Sequence, residues 1–132
     1  MKYILLPFAA WIVSGSLKFL VNFSKHGLLG AKKLIGYGGL PSTHTTIISS
    51  VVFLNGFSEG FFTPQFSLGL GVMMLFIMDA HNMRRKIGDH AKVLNQLQKE
   101  IILRERMGHT WIEIICGLIL GVSLGYIFTY FI

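Results

Sequence analysis

Residues 110–132 read TWIEIICGLILGVSLGYIFTYFI, an apolar run whose one charged side chain, Glu113, stands in the first turns. Roughly 20 such residues, rising about 1.5 Å each in a helix, cross the hydrocarbon core of a bilayer. The run therefore predicts a transmembrane helix. Gly117, Gly121 and Gly125 recur every fourth residue along it, a ridge of small residues that lets another helix approach closely. The whole composition agrees: 52% of the 132 residues are hydrophobic and 14% charged, with a mean hydropathy of +0.60. That excludes an ordinary soluble cytosolic globule.

Working back from this run, three more apolar segments appear. One extends from Pro64 to Asp79, a second from Ser42 to Phe57, with Pro41 leading into it and Ser42 as its N-cap. The third, Tyr3 to Phe23, follows Lys2 and passes through Ser14, Gly15 and Ser16 as a signal peptide would. It continues through Leu17, Phe19, Leu20 and Val21, beyond the usual length of a signal core, and so predicts a retained helix. The expected fold is all-α: a single domain over residues 1–132, a polytopic membrane bundle of about four transmembrane helices. Residues 82–108 form a polar connection with Ile87, Leu94, Leu97 and Ile101 at roughly heptad spacing. This predicts an amphipathic helix that lies on the membrane or on its own protein, or else a seam between two chains. The lone Cys116 allows no intrachain disulfide and is expected to be a buried thiol.

The net charge is +6, and its placement decides its meaning. Lys25, Lys32 and Lys33 fall between residues 22 and 43. Arg84, Arg85, Lys86, Lys92, Lys99, Arg104 and Arg106 fall between 82 and 108, while the other loops and termini hold only Lys2. By the positive-inside rule both long connections face the cytoplasm, with the N-terminus, the Glu59 loop and the C-terminus opposite. The basic residues flank spans without an aromatic single-strand platform, so nucleic acid is not an expected partner. The expected setting is the cell (inner) membrane.

This topology gathers ionisable residues at one rim. His44 opens the second segment, Asp79 closes the third, Arg84 and Arg85 follow it, and His109 with Glu113 opens the fourth; such costly groups at membrane depth point to function. The run Gly36, Tyr37, Gly38, Gly39, Leu40, Pro41, Ser42, Thr43, His44 places a flexible turn before a capped helix N-terminus, whose free N–H groups and dipole suit a phosphate or carboxylate. His109 and Glu113, four residues apart, share a helix face. The carboxylate can hold one ring nitrogen and leave the other free as a nucleophile or base.

Three spaced stretches, GGLPSTH at 38–44, DA at 79–80 with MRRKIG at 83–88 and AKVLN at 91–95, and GHTWIE at 108–113, resemble the divergent branch of the type 2 phosphatidic acid phosphatases. That branch is related to acid phosphatases and vanadium-dependent haloperoxidases. The resemblance implies a metal-independent, cofactor-free phosphatase. In it His109 is the nucleophile, Glu113 orients His109, and His44 is the general acid that later activates water. It implies Lys18, Arg84 and Arg85 as phosphate-binding cations, Ser42 and Thr43 as donors, and Asp79 as a residue that holds an arginine in place. The chain departs from the wider pattern in three places. Lys25 and His26 stand where Arg-Pro follows the motif lysine Lys18. Leu103 occupies the position of an expected arginine, with Arg104 and Arg106 beside it. Glu113 replaces an aspartate.

A cytoplasm-facing site favours an inner-leaflet substrate, a phosphatidylglycerophosphate- or phosphatidate-like phosphomonoester. Non-catalytic binding or transport of a lipid phosphate is the alternative; a third reading makes His44, Asp79, His109 and Glu113 metal ligands. Better-known membrane members resemble six-span bundles. With the glycine ridge and the Ile87-to-Ile101 seam, this shorter chain raises the expectation of a homodimer. His26, His81 and His90 are expected to be surface or capping residues, with His81 close enough to Asp79 to support the site.

Overall fold

A computed structural model describes residues 1–33, 39–98, 101–105 and 107–132, with Lys33 as backbone only. Among these residues the structure is all helical. Helix α1 spans Lys2–Lys33, α2 Thr43–Glu59, α3 Pro64–Met78, α4 Arg84–Leu97 and α5 Trp111–Tyr130; a π-helical turn, Asp79–Met83, joins α3 to α4 without a break. The caps lie where the sequence offers them. Ser42 accepts from the Thr45 N–H, Thr63 from the Phe66 N–H with Pro64 beginning the helix, and Thr110 forms a reciprocal capping box with Glu113.

Three helical stretches are long and apolar enough to cross a membrane: Lys2–Lys32, Pro64–Leu97 and Trp111–Tyr130. About four were expected; the segment expected as a further span is α2, which has 17 residues and is not one of these three. Helix α2 is the inner element, packed by α1, α3 and α5. Thr45, Thr46, Ser49 and Ser50 are buried in it. Most of their hydroxyls bond to carbonyls of the same helix, Thr46 to Ser42 O at 2.9 Å, Ser49 to Thr45 O at 2.6 Å and Ser50 to Ile47 O at 2.8 Å, while Thr45 donates to Ser42 Oγ at 2.9 Å. Polar groups satisfied in this way can be buried without partners from another helix.

The small face so produced receives the α5 ridge. A Cβ at Gly117 would lie 2.6 Å from Ser42 O and one at Gly125 2.9 Å from Ser50 O; one at Gly121 would overlap Ser49 Oγ. The ridge is thus occupied within one chain, and the homodimer expectation loses that support. Val52, Phe66 and Met73 make a small apolar core between α2 and α3.

The amphipathic connection also departs from its expected course. A continuous helix over 82–108 is not formed: α4 stops at Leu97, and the chain returns beside it in irregular form. Asn95 clamps the return, accepting from the Leu103 N–H and donating to Leu103 O, both at 2.8 Å. Gly88, without a side chain, admits the backbone of Glu105 against α4. Ile101 therefore lies off the helix, and the Ile87-to-Ile101 seam does not exist as one helical stripe. At the opposite end of the bundle, Lys2 Nζ donates to Thr129 O and the Tyr3 hydroxyl to Glu59. The two chain ends and the α2–α3 loop thus lie together, away from the start of α2 and α5.

Candidate active site

Where α2 and α5 begin, four elements surround a cavity of about 810 Å³, within the usual range of small-molecule sites. Its polar end is bordered by Lys18 and Asn22 of α1, Thr43 and His44 of α2, Arg84 of α4, and Arg104 and His109 of the segment entering α5. Its remaining wall is largely apolar, with Trp11, Ile12, Phe19 and Ile47. Helix α1 changes direction at Gly27, whose φ of 67° suits glycine, and buried Ala31 then closes part of the wall.

His109 is held more firmly than its neighbours. Its side chain is buried, and Nδ1 lies 2.9 Å from Glu113 Oε2. The same carboxylate oxygen accepts from the Thr110 N–H at 3.0 Å. With Nδ1–H donated to a carboxylate, Nε2 carries the ring's lone pair, the arrangement that makes an imidazole nucleophilic. The main chain is fixed too. The His109 N–H donates to Ala80 O at 2.9 Å, and His109 O lies 3.2 Å from His81 Nδ1, which donates to it. His81 in turn lies tilted against Trp111, with ring centroids 4.5 Å apart.

Gly108 makes this docking feasible. Its φ is +83°, and a Cβ there would come 2.7 Å from Arg85 Cγ and 3.0 Å from Ala80 O. The π-helical turn supplies the other half, because it presents Ala80 O and His81 together toward the segment that enters α5. The His44 ring stands 6.5 Å from that of His109, centroid to centroid and edge to face, so two imidazoles from different helices border one hollow.

Several residues named from sequence converge here: Lys18, Thr43, His44, Arg84 and His109 border the cavity, with Glu113 behind His109. Asp79 stands behind the wall. Its Oδ2 accepts from Arg84 Nε at 2.9 Å, an ion pair that ties Asp79 to that guanidinium. Ser42 is not a cavity donor. It is fully buried, caps α2, and donates its main-chain N–H to Glu113 O at 2.9 Å, tying the two helix starts together. Arg85 is also turned away, bordering a separate charged cleft with Asp89, Lys92 and Glu105.

Asn22 and Arg104 also border the cavity, and neither belongs to the motif residues that point to it. Asn22 lies one turn beyond Lys18 on the same α1 face, a spacing that could have shown it. Arg104 reaches the cavity from the irregular return segment, which no periodicity marks. Gly36, Tyr37, Gly38, Lys99 and Arg106 lie outside the described residues. Among the described residues no group of three or more His, Cys, Asp or Glu is placed to hold a metal ion, so the proposed four-ligand metal set does not form.

The sequence pattern of the Divergent PAP2 family matches residues 1–124. The chain belongs to that family. It is also similar to the uncharacterized membrane protein YuiD of Bacillus subtilis (strain 168), at 24% identity over 143 residues, covering 93% of this chain and 90% of that protein. No solved structure matches. Membership ties this divergent PAP2 chain to a phosphatase-related superfamily, and three apolar helices together with a membrane-protein relative give it a membrane location.

Proposed function

We propose that this divergent PAP2 protein hydrolyses the phosphomonoester of a membrane lipid through a phosphohistidine intermediate. The observation that carries the reading is the pair of imidazoles at the cationic end of one cavity, His109 backed by Glu113 and His44 across from it. The remaining, apolar wall suits the rest of an amphiphile.

In the first step the His109 Nε2 lone pair attacks phosphorus. The bond from phosphorus to the lipid oxygen breaks, and His44 gives that oxygen a proton. In the second step neutral His44 removes a proton from water, the oxygen of that water attacks phosphorus, and the P–N bond returns its electrons to His109. Phosphoryl transfer depends on positioning and on opposing the charge of the equatorial oxygens. Lys18, Arg84 and Arg104 supply positive charge, and Thr43 and Asn22 supply donors. Glu113 stabilises the positive ring that forms when Nε2 becomes bonded. The described parts of both basic stretches border this site, through Ala31, Arg84 and Arg104, so by the positive-inside rule it faces the cytoplasm of the cell membrane. That orientation favours phosphatidate or phosphatidylglycerophosphate as substrate.

The deciding experiment measures inorganic phosphate released from a panel of lipid phosphates. The wild type releases phosphate in the presence of chelator and is inhibited by orthovanadate. His109→Ala falls to background, and His44→Ala loses about 10²- to 10⁴-fold, the usual contribution of a general acid–base group. Unchanged release in His109→Ala overturns the mechanism. Binding of lipid phosphate with no release by the wild type gives a non-catalytic lipid-phosphate binder instead.

A further inference from the structure

We infer that one acyl chain of the bound lipid phosphate lies in a lateral groove along α1, leaving the cationic pocket past Phe19 and Gly15 and emerging among the bilayer lipids at Trp11 and Ile12. The inference deepens the phosphatase reading and rests on it for the headgroup site. Three observations carry it. The cavity does not end at the imidazoles: it continues from Lys18 along α1 to Trp11 and Ile12, with Ile47 of α2 as its opposite wall. Seven residues of helix separate Lys18 from Trp11, about 10 Å at 1.5 Å per residue, which stays within one leaflet of a hydrocarbon core about 30 Å thick.

The far end of the groove is open sideways. Trp11 and Ile12 are 60% and 59% exposed while standing inside a membrane-spanning stretch, so what they face is lipid tails rather than water. The third observation is Gly15. It borders the cavity, and a Cβ built on it meets nothing within 4 Å. The missing side chain leaves room at the middle of the groove where a larger residue would fill it. A soluble phosphomonoester needs neither this apolar length nor a lateral mouth. A phospholipid needs both, because its chains remain in the bilayer while its phosphate reaches Lys18, Arg84 and the histidines.

Gly15→Leu tests the groove, since the open space accepts the new side chain without displacing α1. Gly71→Leu is the matched control: that glycine also has nothing within 4 Å of a built Cβ, is exposed on α3, and does not border the cavity. Phosphate release is compared between dioleoyl and dihexanoyl phosphatidate. Gly15→Leu lowers the long-chain to short-chain ratio of kcat/KM by about tenfold or more, the scale on which apolar pockets discriminate by size, and Gly71→Leu leaves the ratio where it was. A ratio unchanged in Gly15→Leu, with an active wild type, overturns the groove and leaves the phosphatase reading standing.

If the wild type releases phosphate from neither lipid, the phosphatase reading falls, and a second measurement still decides the groove. Phosphatidate bearing a diazirine on one acyl chain is photolysed with wild type and with Gly15→Leu in vesicles, alongside a diacylglycerol carrying the same group. Labelling by the phosphatidate probe concentrated between Trp11 and Phe19, absent with diacylglycerol and reduced in Gly15→Leu, supports the groove. Labelling spread equally over the lipid-facing surfaces of α3 and α5 by both probes overturns it.

Discussion

Glu113 performs two tasks with one carboxylate oxygen, and they can be separated. Oε2 accepts from His109 Nδ1 and from the Thr110 N–H, while Thr110 Oγ1 accepts from the Glu113 N–H at 3.3 Å. Glu113→Gln keeps an oxygen for both bonds but removes the charge that stabilises a positive His109 ring. Phosphate release is expected to fall about 10²- to 10⁴-fold, with the unfolding midpoint in detergent close to wild type. Glu113→Ala also removes the capping box and is expected to cost about 1 kcal/mol of stability in addition. Release by Glu113→Gln within threefold of wild type would remove the carboxylate from the mechanism. His109, Glu113 and His44 were legible in the sequence because helical spacing and motif order report on them directly. His81 was legible only as a neighbour of Asp79; its hold on the His109 carbonyl depends on the π-helical turn. One extra residue in that turn, marked by the Arg84 N–H reaching back five residues to Asp79 O, leaves no period in the sequence.

Between elements, the decisive contact is α5 on α2, and glycine spacing announced it while leaving the partner open. The partner proved to be the face of α2 that carries Thr45, Thr46, Ser49 and Ser50, which the sequence shows only as small polar residues in an apolar segment. Gly121→Ala tests how closely the two helices pack. Helix propensity alone would favour alanine by about 1 kcal/mol. The new Cβ, however, overlaps Ser49 Oγ and comes within 2.6 Å of Thr46 O and 2.9 Å of Ser50 N. Backbone atoms cannot rotate aside, so the helices must part, at a cost of about 1–3 kcal/mol. The same substitution at Gly71, which faces open space, is expected to be neutral or mildly stabilising. Denaturant midpoints of the two purified variants in detergent check the contrast, and equal midpoints would show that α2 and α5 do not pack at this distance. Because His44 rides on α2 and His109 precedes α5, Gly121→Ala is also expected to lower phosphate release more than its loss of stability explains. The return of residues 101–105 along α4 was illegible for a related reason. Gly88 and Asn95 read as ordinary helix-surface residues until a strand of irregular backbone lies against them.

For the molecule as a whole, the fold separates two ends of opposite character, and orientation in the bilayer follows from their charge. Lys2, Glu59 and Thr129 meet at one end. The other carries the cationic pocket, the basic residues of α4 and Lys32 in the last turn of α1. The imbalance of ten basic residues against one is a reading of the sequence; among the described residues Arg84 and Arg104 border the cavity itself, and Ala31, next to Lys32 in α1, closes part of its wall. Positive-inside sorting acts on such short flanking segments during insertion, so under the proposed function the histidines are expected to face the cytoplasm and to draw their substrate from the inner leaflet. Single-cysteine variants in a Cys116→Ala background test this in cells expressing the protein. Phe62, fully exposed in the α2–α3 loop, and Lys92, exposed on α4, mark the two ends. Phe62→Cys is expected to react with a membrane-impermeant maleimide in intact cells, and Lys92→Cys only after permeabilisation. The reverse pattern would turn the pocket outward. It would leave the two imbalanced ends in place but direct the hydrolysis at a lipid phosphate presented on the outer surface, because a cavity whose mouth lies within one leaflet can be loaded only from that leaflet.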